Sequence, residues 1–184
     1  QTVADVVLVL DGPSSERAAV TDRFSAELPH VHSVRQTSGT FGERMAAAVV
    51  SVRELGAKSV VLIGADSPEL RSHHVDEALA QVGCGNCVLG PSTDGGFWLA
   101  GAPVAALSDL SELPWETERL AEALGERLGA VYALPTLADL DVLSDLTALL
   151  GRLVRAGDAA LARQLADVVA PSVMAEDDGR VRAR

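Results

Sequence analysis

The stretch from Lys58 to Leu70, KSVVLIGADSPEL, constrains this chain more than any other. Val60, Val61, Leu62 and Ile63 form an unbroken apolar run rich in β-branched side chains. That pattern predicts a strand buried on both faces, as found in sheets covered by helices on each side. The run ends in Gly64-Ala65-Asp66, and Pro68 blocks an immediate helix. A carboxylate is therefore set at the carboxyl end of a buried strand, the edge where open α/β sheets bind their ligands. Spacing alone leaves Asp66 two roles: a metal-binding or catalytic acid, or the cap of the next helix.

The rest of the chain alternates in the same way. Val3 to Leu10 reads as a strand, closed by the turn signal Asp11-Gly12-Pro13. Ser14 or Ser15 opens a helix to about Leu28, stopped by Pro29, and Val31 to Gln36 alternates like a second strand. After the loop Thr37 to Gly42, a helix runs from about Gly42 to Leu55 and ends at Gly56. Beyond the 58–70 stretch, Ser72 reads as the N-cap of a helix to Val82. Cys87 to Leu89 and Phe97 to Ala100 read as strands around the turn-rich GPSTDGG of residues 90–96. Helices are expected at Pro103–Leu110 and Trp115–Leu128, a strand at Val131–Leu134, and helices at Leu143–Arg155 and Asp158–Val169. Strands alternating with helices predict an α/β fold, a three-layer α/β/α sandwich with a mostly parallel, mixed sheet. We expect one domain over residues 1–170 and a polar C-terminal tail over 171–184.

Composition narrows the function classes. The chain has 184 residues and a formal net charge of −11, which argues against a nucleic-acid partner, since such proteins carry basic patches. A nucleotide, which needs only a few donors and can be held through a metal, is compatible with that charge. No apolar run reaches the roughly 18 residues of a membrane span, and no signal peptide is evident. With only two cysteines, the cytoplasm is the expected compartment. Cys84 and Cys87 form a lone CxxC. A structural zinc would need two more ligands, and adjacent His73 and His74 on a helix should point to different sides. The plainer expectation is two small buried residues leading into a strand.

Three acidic sites fall just after predicted strands: Asp66, Asp94, and the pair Asp139 and Asp141. That placement lets carboxylates converge at one sheet edge, where Mg²⁺ takes one or two of them together with substrate phosphates. Each also has a structural reading. Asp139 or Asp141 could cap the helix near Leu143, and Asp94 before two glycines could simply make a hairpin turn. Gly95 and Gly96 serve either a turn or close approach of a ligand to the backbone. The segment Gly39 to Arg44 precedes a helix whose N-terminal N–H groups suit an anion. Arg44 could add a fork of donors there, or pair with Glu43 or Asp22 at the surface.

The combination is more specific than its parts. QTSGTFGERM at 36–45, GADSPEL at 64–70, VLGPSTDGGFWLAG at 88–101, PWET at 114–117 and DLDVLSDL at 139–146 occur in this order. Together they resemble the GT-A-type, nucleotide-diphospho-sugar-transferase-like family often described as radical-SAM/selenium-domain-associated glycosyltransferases. The chain is similar in this to 2-phospholactate guanylyltransferase and molybdenum-cofactor guanylyltransferase. The resemblance covers roughly residues 3 to 150.

It implies a metal-dependent transferase that moves a glycosyl or nucleotidyl group from a nucleotide or nucleotide-sugar donor to a small-molecule acceptor. Mg²⁺ or Mn²⁺ would be held by Asp66 with Asp139 and Asp141. Asp66 and Asp94 would be the catalytic acids. Gly42, Glu43, Arg44, Gly95, Gly96, Trp115 and Thr117 would bind donor and acceptor. Members of this family begin with a strand and a Lys/Arg- and Gly/Pro-rich phosphate loop. Here Lys58 is the only lysine, and the expectation is that about one strand–loop–helix unit of the family pattern is missing. Thr40-Phe41 also stands where the family tends to have an acid and Leu. A relative that lacked the loop would be a non-catalytic nucleotide- or sugar-binding module, which is the alternative.

Overall fold

The computed structural model describes residues 4–28, 30–107, 109–140 and 143–165. Strand β1 (Val6–Leu10) leads to α1 (Ser14–Glu27), β2 (Val31–Arg35) and α2 (Phe41–Glu54). The central β3 (Ser59–Ile63) is followed by α3 (Ser72–Gly83), β4 (Cys87–Pro91) and β5 (Phe97–Pro103). Helix α4 (Leu120–Leu128), β6 (Val131–Ala133) and α5 (Leu143–Ala156) complete the order. The chain divides after Asp139 into two compact units.

In the first unit, β3, β5, β4 and β6 form a four-stranded sheet in that order. β5 runs antiparallel to both β3 and β4, while β6 is parallel to β4. Three strands therefore share one direction and β5 alone is reversed, so the mixed, mostly parallel sheet expected from the sequence is present. The alternation of side chains along these strands makes two cores. Val60, Leu62, Leu89, Ala100 and Ala102 face Val49 of α2 and Leu124 of α4. Val61, Val88 and Leu99 face Ala78 and Val82 of α3. Helices thus cover both faces, which makes the three layers. Small residues at Ala100, Gly101 and Ala102 let the helices sit close: a Cβ built on Gly101 would come within 2.8 Å of the Val82 side chain.

β1 and β2 form a separate parallel pair with Val6 opposite Val31 and Leu10 opposite Arg35. All five residues of β1 are half-buried, and α1 contains no buried residue. Val20, Phe24 and Leu28 make an exposed apolar stripe at four-residue spacing along α1.

Several local expectations change. The strand expected at Val3–Leu10 begins at Val6; Ala4 and Asp5 precede it outside the strand, and residue 3 lies outside the described residues. Ser72 is not the cap of α3: Arg71 occupies that position, and the Arg71 N–H donates to His74 Nδ1 at 3.2 Å. The His73 and His74 rings do not diverge but lie 4.1 Å apart, and His74 also packs on Trp98. Burial holds the His74 imidazole below its ordinary range, with the charges of His73 and Arg71 adding to that effect. The helix expected at Pro103–Leu110 is reduced to a single 3₁₀ turn at Val104–Ala106, because β5 continues to Pro103. The helix expected from Trp115 begins only at Leu120; residues 115–119 are needed for the contacts described below. Cys87 enters β4 half-buried as expected, whereas Cys84 is exposed, and neither is in a disulfide.

In the second unit, α5 packs Leu149 and Leu153 against Ala162, with Leu140, Leu150, Leu161 and Leu165 around them. Gly157, at φ 78°, turns the chain, and Asp158 Oδ1 accepts from the Leu161 N–H at 3.2 Å to open a further helix from residue 159. The helix expected to reach Val169 is described only to residue 165, and the tail expected at 171–184 lies outside the described residues. Among the described residues, no helix is long and apolar enough to cross a membrane.

Candidate functional site

β3, β4 and β6 point the same way, so the segments that follow them leave the sheet at one edge. Asp66 follows β3, Ser92 and Asp94 follow β4, and Asp139 follows β6. Asp66 and Asp94 are exposed, whereas Ser67 and Ser92 are buried. Asp139 lies between them: the Ser67 hydroxyl donates to Asp139 Oδ1 at 2.6 Å. Burial pushes the Asp139 carboxyl above its usual range, and the nearby charges of Asp66 and Asp94 push the same way. Hydrogen bonds from Ser67 and Ser92 oppose them.

The structural readings of these acids separate. Asp66 does not cap α3, since Arg71 holds that position. Its carboxylate folds back over Gly64, where a Cβ would lie 2.8 Å from Asp66 Oδ1. Asp94 does make the turn between β4 and β5: its Oδ1 accepts from the Gly96 N–H at 2.8 Å, and the Ser92 N–H donates to Gly96 O at 2.9 Å. The turn reading therefore holds, and that Asx turn leaves the Asp94 side chain exposed at the sheet edge. Asp139 Oδ1 accepts from the Ser67 hydroxyl, and Asp141 lies outside the described residues.

The glycine-bearing segments meet through residues 114–119. A Cβ on Gly42 would lie 2.5 Å from Trp115 Nε1 and 2.9 Å from Ser111 O. Trp115 donates from Nε1 to Leu110 O at 2.7 Å and packs on Phe41 and Phe97, with ring centroids 5.0 and 5.9 Å away. At the other end, Gly95, at φ 90°, presses on the backbone of Glu118, and Gly95 O accepts from the Ala121 N–H at 2.9 Å. Thr117 Oγ1 donates to Pro114 O at 2.7 Å, which closes the turn. Glu116 sits there at φ 60°, a conformation that costs a non-glycine residue free energy and is held by these contacts.

At the start of α2, Glu43 and Thr40 form a capping box: Glu43 Oε2 accepts from the Thr40 N–H at 2.7 Å, and Thr40 Oγ1 accepts from the Glu43 N–H at 3.3 Å. The departure at Thr40 thus has a local role, and Glu43 caps the helix instead of pairing with Arg44. Arg44 lies over the Phe41 ring, 5.2 Å from its centroid, and donates from Nη1 to Gln36 Oε1 at 3.3 Å. Its Nε is buried without a hydrogen-bond partner among the described residues, an unmet donor beside Gln36. Gln36 in turn lies in an open surface depression of about 410 Å³ with Arg35, Thr37 and Ser38. Sequence reasoning assigned no role to Ser67, Ser92 or Gln36. The first two adjoin the acids it chose, but only the fold reveals that both face a third carboxylate.

The donors at the acidic edge are carboxylate and hydroxyl oxygens, which suit a hard cation such as Mg²⁺ or Mn²⁺. Among the described residues, no three His, Cys, Asp or Glu side chains are gathered into a complete metal cage. Cations of this kind need only one or two carboxylates when substrate phosphates fill the shell, so the donor set fits.

Known proteins give the arrangement a context. Residues 1–117 match the model of a family described as "uncharacterized protein conserved in bacteria" (DUF2064). The chain belongs to this family. A crystal structure of a "putative nucleotide-diphospho-sugar transferase" from Desulfovibrio desulfuricans G20 superposes with a TM-score of 0.68 at 25% sequence identity. The match covers 88% of this chain and 77% of that one. No curated protein matches the chain. The fold is therefore α/β and of the GT-A kind, shared between this family member and that structure.

The seat of Asp139 has a pH consequence. A carboxyl raised in the folded state favours folding fully below its unfolded value, near the ordinary 3.8, and that contribution is lost as pH rises through the folded value. Asp139→Asn should therefore gain stability relative to wild type between pH 4 and pH 7, with the gap closing in more acid solution. Paired thermal melts across that range measure it; a gap that does not change with pH would contradict the cause given for the shift.

Proposed function

We propose that this protein is a metal-dependent transferase that moves a glycosyl or nucleotidyl group from a nucleotide-activated donor to a small-molecule acceptor. The observation that carries the reading is the pair of exposed acids, Asp66 and Asp94, at the carboxyl edge of one sheet, with Asp139 bonded between their loops. The likeness to the Desulfovibrio structure supports it. Asp66 would hold Mg²⁺ or Mn²⁺, and Asp139 adds negative charge beside it. A bound cation of this kind offsets the charge of a diphosphate leaving group. Asp94, on its turn with Gly95 and Gly96, faces the acceptor and would orient or deprotonate its nucleophilic group. Trp115 and Thr117 shape that side. Arg44, in the first turn of α2, would contact the donor through its guanidinium, while Gly42 beneath it seats Trp115. Rate enhancement in such a site comes from positioning and charge neutralisation, which glycosyl and nucleotidyl transfer share.

The test is a thermal-shift panel of nucleoside triphosphates and nucleotide sugars, each with and without Mn²⁺. At about 100 times its dissociation constant, a true donor should stabilise the fold by roughly 2.7 kcal/mol, and only with the metal present. Binding without transfer to any acceptor would favour the non-catalytic module. No metal-dependent shift with any member of the panel would sink the transferase reading.

A further inference from the structure

We propose that Asp139 is a positioning residue: through the buried hydroxyl of Ser67 and through its backbone anchorage beside Ser92 it fixes the two loops that carry Asp66 and Asp94. This rests on the reading of those two exposed acids as the groups that meet the ligand. It gives Asp139 a different task from the metal-ligand role that the family resemblance implies.

Ser67 and Ser92 are 7% and 6% exposed, and they are two of the three buried polar residues among those described. A buried hydroxyl needs a partner, and the Ser67 hydroxyl finds it in Asp139 Oδ1 at 2.6 Å, while Ser92 lies on the other side of the same carboxylate, close enough to oppose the rise of its pKa. An ionised carboxylate only accepts, and it can take several donors at once. Each serine is beside one candidate acid. Ser67 directly follows Asp66. Ser92 opens the turn that holds Asp94, since its N–H donates to Gly96 O and its carbonyl accepts from the Gly95 N–H. The third segment is itself fixed. Leu137 pairs with Ser92, the Leu137 N–H donates to Pro91 O, and the Thr93 N–H donates to Leu137 O. Asp139 is two residues beyond that lacing, so its backbone is anchored to the end of β4 while its side chain reaches the loop after β3. The pattern ties three chain segments at one carboxylate, while the two acids that flank it are left open to solvent.

The two roles predict different variants. Asparagine keeps the shape of Asp139 and can still exchange hydrogen bonds with both serines, whereas alanine cannot. Mn²⁺ alone is the probe, followed by its EPR signal in the full chain. Asp139→Ala, and Ser67→Ala with Ser92→Ala, should each weaken Mn²⁺ binding about tenfold or more, the size of a lost charge-assisted hydrogen bond. Asp139→Asn should stay within a factor of about three, the effect of removing a neighbouring charge. If Asp139→Asn loses Mn²⁺ as completely as Asp66→Asn, Asp139 is a ligand and the proposal is overturned.

A metal-free readout separates this from the transferase reading. Backbone amide NMR of the apo protein should show the Asp66 and Asp94 signals displaced together in Asp139→Ala and unmoved in Asp139→Asn. Unmoved signals in Asp139→Ala would also overturn the proposal. Should Asp139→Ala fail to fold, the single Ser67→Ala and Ser92→Ala variants carry the test, each displacing its own loop and, through Asp139, the other. Wild-type protein that does not bind Mn²⁺ but shows these amide effects would remove the cation from the proposed function and leave the positioning role standing.

Discussion

Asp66→Asn abolishes the metal-dependent rise in melting temperature and leaves the metal-free melt where it was. The expected loss is the whole ligand contribution, about 2.7 kcal/mol at 100 times the dissociation constant, or roughly 5–10 °C for a chain of this size. The prediction follows from where the side chain sits. Asp66 is exposed and α3 is capped by Arg71, so asparagine removes a charge without uncapping a helix. Differential scanning fluorimetry with a nucleotide sugar, with and without Mn²⁺, measures both halves at once. A drop in the metal-free melting temperature would mean that Asp66 supports the fold and that the site must be sought elsewhere.

Gly95→Ala is the largest stability change expected outside the two cores. Gly95 lies at φ 90°, where an L side chain is strained by about 1–2 kcal/mol. A Cβ there would also overlap the backbone of Glu118, which has no rotamer by which to withdraw. Overpacking of this kind costs about 1–3 kcal/mol, so the total is about 2–5 kcal/mol. Urea unfolding followed by circular dichroism gives the figure. Because the same contact seats residues 114–119, the variant should also lose donor-dependent stabilisation at temperatures where it is still folded. A change below about 0.5 kcal/mol, the range of ordinary surface substitutions, would show that the segment moves aside.

The layer architecture was legible because β3 and β5 carry runs that only a doubly covered sheet explains, and because turn residues separate nearly every element. The acids were legible as strand-end residues. Two kinds of information were not. The extent of β5 was hidden because Gly101, Ala102 and Pro103 have weak strand preferences; pairing with β3 and β4, and the need for small residues under Val82, override them. Residues 115–119 carry helix formers, yet they are held out of α4 by the Trp115 and Glu118 contacts with Gly42 and Gly95, which are distant in sequence. The same long-range character hid Ser67, whose partner Asp139 lies 72 residues beyond it. Periodicity reports which face a residue takes; it does not report which other loop arrives there. The cap reading of Asp66 turned on where α3 begins, at Ser72 with Arg71 in the N-cap position, which no pattern of apolar residues encodes.

The two glycine contacts of residues 114–119 also bear on how this molecule can move. Trp115 is pressed into the first turn of α2 at Gly42, and Glu118 is pressed onto the Asp94 turn at Gly95. A segment held at one end can swing as a lid; one held at both ends against backbone behaves as a strut. Displacing the Asp94 turn would therefore carry the first turn of α2 with it. Any ordering that an acceptor imposes on one end would be felt at the other, where Arg44 waits with an unmet donor.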